Sequence, residues 1–114
     1  MQLITKEQRA KLLDNGAATA RGDQRDPRPV VKLFTPDANG TWLLTELDPA
    51  DPDLAFGLCD LGLGSPELGY VHLSELSALR GPLGLSVERD RYFIAGRPLG
   101  VYANEAQAAG AIGA

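Results

Sequence analysis

Residues 54–76, LAFGLCDLGLGSPELGYVHLSEL, hold four glycines, three carboxylates and the only cysteine and histidine of the chain. The stretch has two readings: a catalytic or phosphate-binding loop, or a β-hairpin running into a helix. Leu54, Phe56 and Leu58 alternate with Ala55, Gly57 and Cys59, which is the period of a strand. Gly62, Gly64 and Pro66 suit a reversal, and LGYVHL (68–73) resumes the extended pattern. A short helix is expected at LSELSALR (73–80), with Ser74 able to cap it. Gly57 and Gly69 then fall inside strands, where a missing Cβ lets something pack closely. The hairpin therefore accounts for every glycine without a ligand.

The chemical readings of the same stretch are weaker. A phosphate cradle needs a helix N-terminus directly after the glycines, together with a third glycine or a Lys-Ser/Thr pair. Gly62-x-Gly64 is followed by Ser65-Pro66-Glu67 instead. Cys59 and His72 can face each other across a hairpin, as a thiol nucleophile and its base would. The plainer alternative is a small buried hydrophobe and a solvent-facing histidine. GSPELG does not fit the Gly-x-Ser-x-Gly elbow of a serine hydrolase.

Upstream, TKEQRAKLLDNGAATA opens with Thr5 and Gln8 in capping-box spacing, so a helix starts there. Asn15-Gly16 offers a stop, and continuation through Ala17 to Ala20 is left open. RGDQRDPRPV reads as a loop, and VVKLF (30–34) as a strand. TPDANGT reverses the chain and WLLTEL resumes it, with Trp42, Leu44 and Glu46 on one face and Leu43, Thr45 and Leu47 on the other, taken as the core side. DPADPD, with two prolines, breaks that strand before residue 54. Downstream, VERDRYFI is extended, and PLGVYANEAQAAGAI forms a terminal helix with Pro98 near its first turn. The expected architecture is α+β: an N-terminal helix, an antiparallel meander of about four strands, a short helix, one more extended segment and a C-terminal helix, with the helices on one sheet face.

At 114 residues the chain suits a single domain over 1–114, and its 44% hydrophobic content excludes wholesale disorder. One cysteine excludes an internal disulfide and a thiolate-rich zinc site, so a reducing cytoplasm is the expected location. No stretch approaches the ~18 apolar residues of a membrane span.

Net charge is −4, unevenly placed. Residues 1–32 carry seven Lys/Arg and four Asp/Glu; residues 33–79 carry eight acids and no Lys or Arg. An unrelieved acidic block repels nucleic-acid phosphate and favours basic partners or divalent cations. The carboxylates Glu46, Asp48, Asp51, Asp53 and Asp60 are the best metal candidates, but they lack the spacing of a calcium loop and the nearby lysine that two-metal nucleases often add. No cofactor is expected. Arg21, Arg25, Arg28 and Lys32 form a sparse basic stretch broken by Asp23 and Asp26, with only Phe34 nearby for base stacking.

The chain from PVVKLF to VERD, read with the opening LITKEQRAKLLDNG, resembles the domain-of-unknown-function family 2958. The resemblance rests on TWLLTELDP, FGLCDLGLGSPELGY and the VERD before Tyr92 and Phe93. It covers nearly the whole chain and matches Trp42, Glu46, Asp48, Phe56, Gly57, Asp60, Glu67, Leu68, Gly69 and Tyr70. Ser65 and His72 depart from the pattern. The resemblance implies a small bacterial protein of plasmids, integrative elements and prophages, encoded beside antirestriction or DNA-maintenance genes, and it brings no catalytic residues. The expectation is a non-enzymatic protein binding a basic protein surface through Trp42, Glu46, Asp48, Asp51, Asp53, Asp60 and Glu67. The alternatives are a metal-dependent hydrolase or nuclease using the central carboxylates, and a DNA-maintenance accessory protein.

Overall fold

The computed structural model describes residues 2–114. Five strands, β1 (Val31–Phe34), β2 (Thr41–Asp48), β3 (Asp51–Asp60), β4 (Glu67–His72) and β5 (Glu88–Arg89), form one antiparallel sheet in the order β4-β3-β2-β1-β5. Three helices, α1 (Lys6–Ala20), α2 (Leu73–Ala78) and α3 (Leu99–Ala109), complete the α+β arrangement. The quoted stretch is the hairpin β3–β4 followed by α2. VERDRYFI contributes only Glu88 and Arg89 as strand, paired with β1 on the side away from β2.

α1 begins as its capping box dictates. The Gln8 N–H donates to Thr5 Oγ1 at 3.0 Å and the Thr5 N–H donates to Gln8 Oε1 at 2.9 Å. Asn15-Gly16 does not stop the helix, which runs on to Ala20. A Cβ at Gly16 would lie 1.8 Å from the Leu47 carbonyl oxygen, so this glycine serves the close approach of α1 to β2. Asn15 is buried beside it and donates from Nδ2 to the Thr45 carbonyl at 2.9 Å.

That carbonyl belongs to a β-bulge. β2 and β3 pair as Leu44↔Gly57 and then Glu46↔Phe56, which leaves Thr45 as an extra residue on β2. The bulge shifts the alternation, so Leu47 joins Trp42 and Leu44 in one core cluster. The sequence assigned these residues to opposite faces because strict alternation ignores an inserted residue. The DPADPD break is also shorter than expected: β3 already begins at Asp51 and includes Pro52.

Both sheet faces are covered, which corrects the one-sided expectation. Trp42, Leu44, Leu47, Val31, Leu33 and Ala55 pack with Leu12 of α1 and with Leu73 and Leu76 of α2. On the opposite face Leu43 and Leu58 pack with Leu99, Tyr102, Ala103 and Ala106 of α3. α3 leaves the outer part of this face open: Tyr70 is 66% exposed and Leu68 is 45% exposed. α2 starts after His72 without a side-chain cap of its own. Ser74 does not cap it; instead Asp53 of β3 reaches across, accepting from the Ser74 N–H at 3.0 Å and from Ser74 Oγ at 2.7 Å.

Candidate functional site: the acidic end of the β2–β3 hairpin

β2 and β3 are joined by a turn at Pro49-Ala50, so Glu46, Asp48, Asp51 and Asp53 are gathered at one end of the sheet. Each carboxylate has a local role. Glu46 Oε2 accepts a hydrogen bond from Thr19 Oγ1 at the end of α1. Asp48 Oδ1 accepts from the Ala50 N–H at 2.9 Å, which fixes the turn. Asp51 Oδ1 accepts from the Asp53 N–H at 3.4 Å. Asp53 holds α2 and lies 3.3 Å from His72 Nδ1. The Ser74 hydroxyl, acting more strongly than the Ser74 N–H and His72, holds the Asp53 carboxyl below its ordinary pKa.

Among the described residues, none of these four acids is paired with a lysine or arginine; the ion pairs are Arg21–Asp23, Lys32–Asp90, His72–Asp53 and Arg97–Glu105. The hairpin end therefore keeps its negative field. Glu46 and Asp48 also edge a cleft of about 260 Å³ shared with Gly16, Thr19, Phe56 and Tyr70.

The other three expected contact residues lie elsewhere. Trp42 is 2% exposed, part of the core cluster on the α1 and α2 side of the sheet with its ring against Gly40, so it is a core anchor and offers nothing to a partner. Asp60 is 3% exposed; its two oxygens accept from the Gly62 N–H at 2.8 Å and the Ile112 N–H at 3.0 Å, which consumes the carboxylate in holding the C-terminal segment. Glu67 is exposed but opens β4 opposite Cys59. Asp60 and Asp51 stand at opposite ends of β3, about 30 Å apart at the rise of an extended strand. The acids thus form no single continuous flank.

The chemical alternatives find little geometry. Cys59 lies opposite Glu67, and His72 lies opposite Leu54, five positions away along β3, so thiol and imidazole do not meet. Burial moreover pushes the Cys59 thiol pKa up, away from the reactive thiolate. Among the described residues no three of His, Cys, Asp and Glu form a group able to hold a metal ion. In the basic stretch, Arg21 pairs with Asp23, Arg25 donates to Asn15 Oδ1 at 3.4 Å and Lys32 pairs with Asp90 at 3.6 Å. Among the described residues, no helix is long and apolar enough to cross a membrane.

Sequence reasoning missed Thr19 and Asn15, the α1 residues that meet Glu46 and the bulge. Asn15 had one faint signal, a polar residue three positions after Leu12 and so on the same helix face.

Fold and site together define an α+β protein with a two-faced antiparallel sheet and an acidic hairpin end. The chain belongs to the family described as "Protein of unknown function (DUF2958)", which matches residues 3–113. No curated protein and no solved structure matches it.

Proposed function

We propose that the protein is a non-enzymatic accessory of a mobile genetic element that binds a basic surface of another protein through the β2–β3 hairpin end. The observation that carries this reading is the gathering of Glu46, Asp48, Asp51 and Asp53 at one end of the sheet, with no lysine or arginine paired to them among the described residues and only His72 beside Asp53. Charge of one sign that no lysine or arginine neutralises raises the encounter rate with an oppositely charged surface and fixes orientation on it. A nuclease or nucleoprotein of host defence offers such a surface in its nucleic-acid groove, for which an acidic hairpin competes by charge. The mobile-element setting implied by the family resemblance supports that choice of partner.

The test is affinity capture from the native host, comparing the unaltered protein with the Glu46→Gln/Asp51→Asn double variant, which spares the turn bond of Asp48 and the α2 anchor of Asp53. Capture of a basic protein that weakens in the variant and with added salt is the expected result. Equal capture by both proteins at every ionic strength overturns the reading.

A further inference from the structure

The two edges of the sheet differ. β5 is a two-residue edge, too short to template another strand, whereas β4 presents six residues. Exposed edges are usually blunted by a lysine, a proline, a bulge or a covering element. Within Glu67–His72 there is no lysine and no proline, and β4 pairs with β3 in unbroken register from Glu67 to His72. The outer backbone groups of β4 are left ready for another strand.

Two side-chain observations single out the middle of this edge. Gly69 sits mid-strand, where glycine weakens a strand, yet it is not among the positive-φ glycines, and a Cβ built on it meets no atom within 4 Å. The protein's own fold gives Gly69 no reason to lack a side chain, in contrast to Gly57 directly opposite, whose Cβ would lie 2.0 Å from the Leu43 carbonyl oxygen. On either side of Gly69, Leu68 and Tyr70 stand exposed on the α3 face, with the Tyr70 ring already set against Phe56 at a centroid distance of 5.0 Å.

We infer that β4 pairs antiparallel with β4 of a second copy of this chain, about a two-fold axis at Gly69. The argument for a second copy is the self-complementarity of the strand. An axis perpendicular to the sheet keeps each side chain on its own face, so the register must centre on a residue. Centred on Gly69, it sets Leu68 opposite Tyr70 of the other copy twice over, an aromatic–aliphatic cross-strand pair of the stabilising kind. It sets Glu67 opposite Val71, so no like charges are opposed. The exposed leucines Leu61 and Leu63 of each turn are carried toward the α2 end of the other copy. The two five-stranded sheets become one continuous antiparallel sheet with both long edges joined and only the short β5 edges outside. The hairpin acids take no part in this contact, so its failure leaves the reading of the acidic hairpin untouched.

Light scattering coupled to size exclusion gives the stoichiometry, and disulfide trapping gives the register. The expected mass is that of a dimer, with Tyr70→Lys raising its dissociation constant by about tenfold or more and lowering Tm only at concentrations where the dimer is populated, while leaving far-UV circular dichroism unchanged, because Tyr70 is largely exposed. In a Cys59→Ala background, Gly69→Cys cross-links on oxidation, since Cα atoms directly opposite in an antiparallel pair stand about 4.5–5.5 Å apart, within disulfide reach. Glu67→Cys in the same background does not cross-link, being four positions out of register with its own copy. A monomer at every concentration up to millimolar overturns the inference. So does a dimer indifferent to Tyr70→Lys, or cross-linking at Glu67→Cys that equals that at Gly69→Cys.

Discussion

Gly57 and Gly69 face each other across β3 and β4 and answer to different causes. At Gly57 a methyl group would collide with β2 backbone that cannot yield without breaking the sheet, so Gly57→Ala is expected to cost about 2–3 kcal/mol in urea unfolding. Gly69→Ala, into open space, is expected to be neutral or stabilising by up to about 1 kcal/mol, because alanine has less backbone freedom to lose on folding. Equal losses at the two positions would contradict the packing described for Gly57. Trp42 makes the same point about context. A lone tryptophan beside acids reads as a binding anchor in sequence, and packing from distant segments converts it into core.

At the scale of elements, α1 and α2 are each tied to the sheet by polar contacts that sequence spacing does not reveal. Asn15 satisfies the carbonyl that the β2 bulge leaves without a ladder partner; Asn15→Ala orphans that buried acceptor, and a loss of about 1–3 kcal/mol in chemical denaturation is expected. Asp53 anchors α2 from β3. Its folded pKa lies below its unfolded one, so the anchor stabilises the protein above the unfolded value, and the contribution is lost as pH falls through the folded value. Ser74→Ala removes the largest cause of that depression. Carboxyl-carbon NMR titration should show the Asp53 midpoint moving up toward the ordinary aspartate range. An unmoved midpoint would mean that the Ser74 hydroxyl does not hold the carboxylate.

Across the whole molecule, the acidic block of residues 33–79 is divided by the length of β3. The hairpin acids stay at one end without a lysine or arginine partner among the described residues, while Asp60 at the other end is drawn inside to hold the turn after β3 and the C-terminal segment at once. Asp60→Ala should therefore speed amide exchange at Gly62 and Ile112 together, although these residues lie far apart in the chain. Acceleration at only one of them would separate the two contacts. The sum of charges in a segment says nothing about which of them face water, because that depends on where each strand ends.

The hairpin β3–β4, the start of α1 and the class of the fold were legible in the residues themselves, since alternation, capping-box spacing and Gly-Pro turns are local signals carried within a few positions of the chain. The two-sided burial of the sheet, the bulge at Thr45, the passage of α1 through Gly16 and the separation of the acids were decided only by tertiary structure. Each depends on what a residue meets from a distant segment: α1 against the Leu47 carbonyl, α3 against Leu43 and Leu58, Ile112 against Asp60. Local preference fixes how a segment can run, and packing between segments fixes which of its faces remains for another molecule.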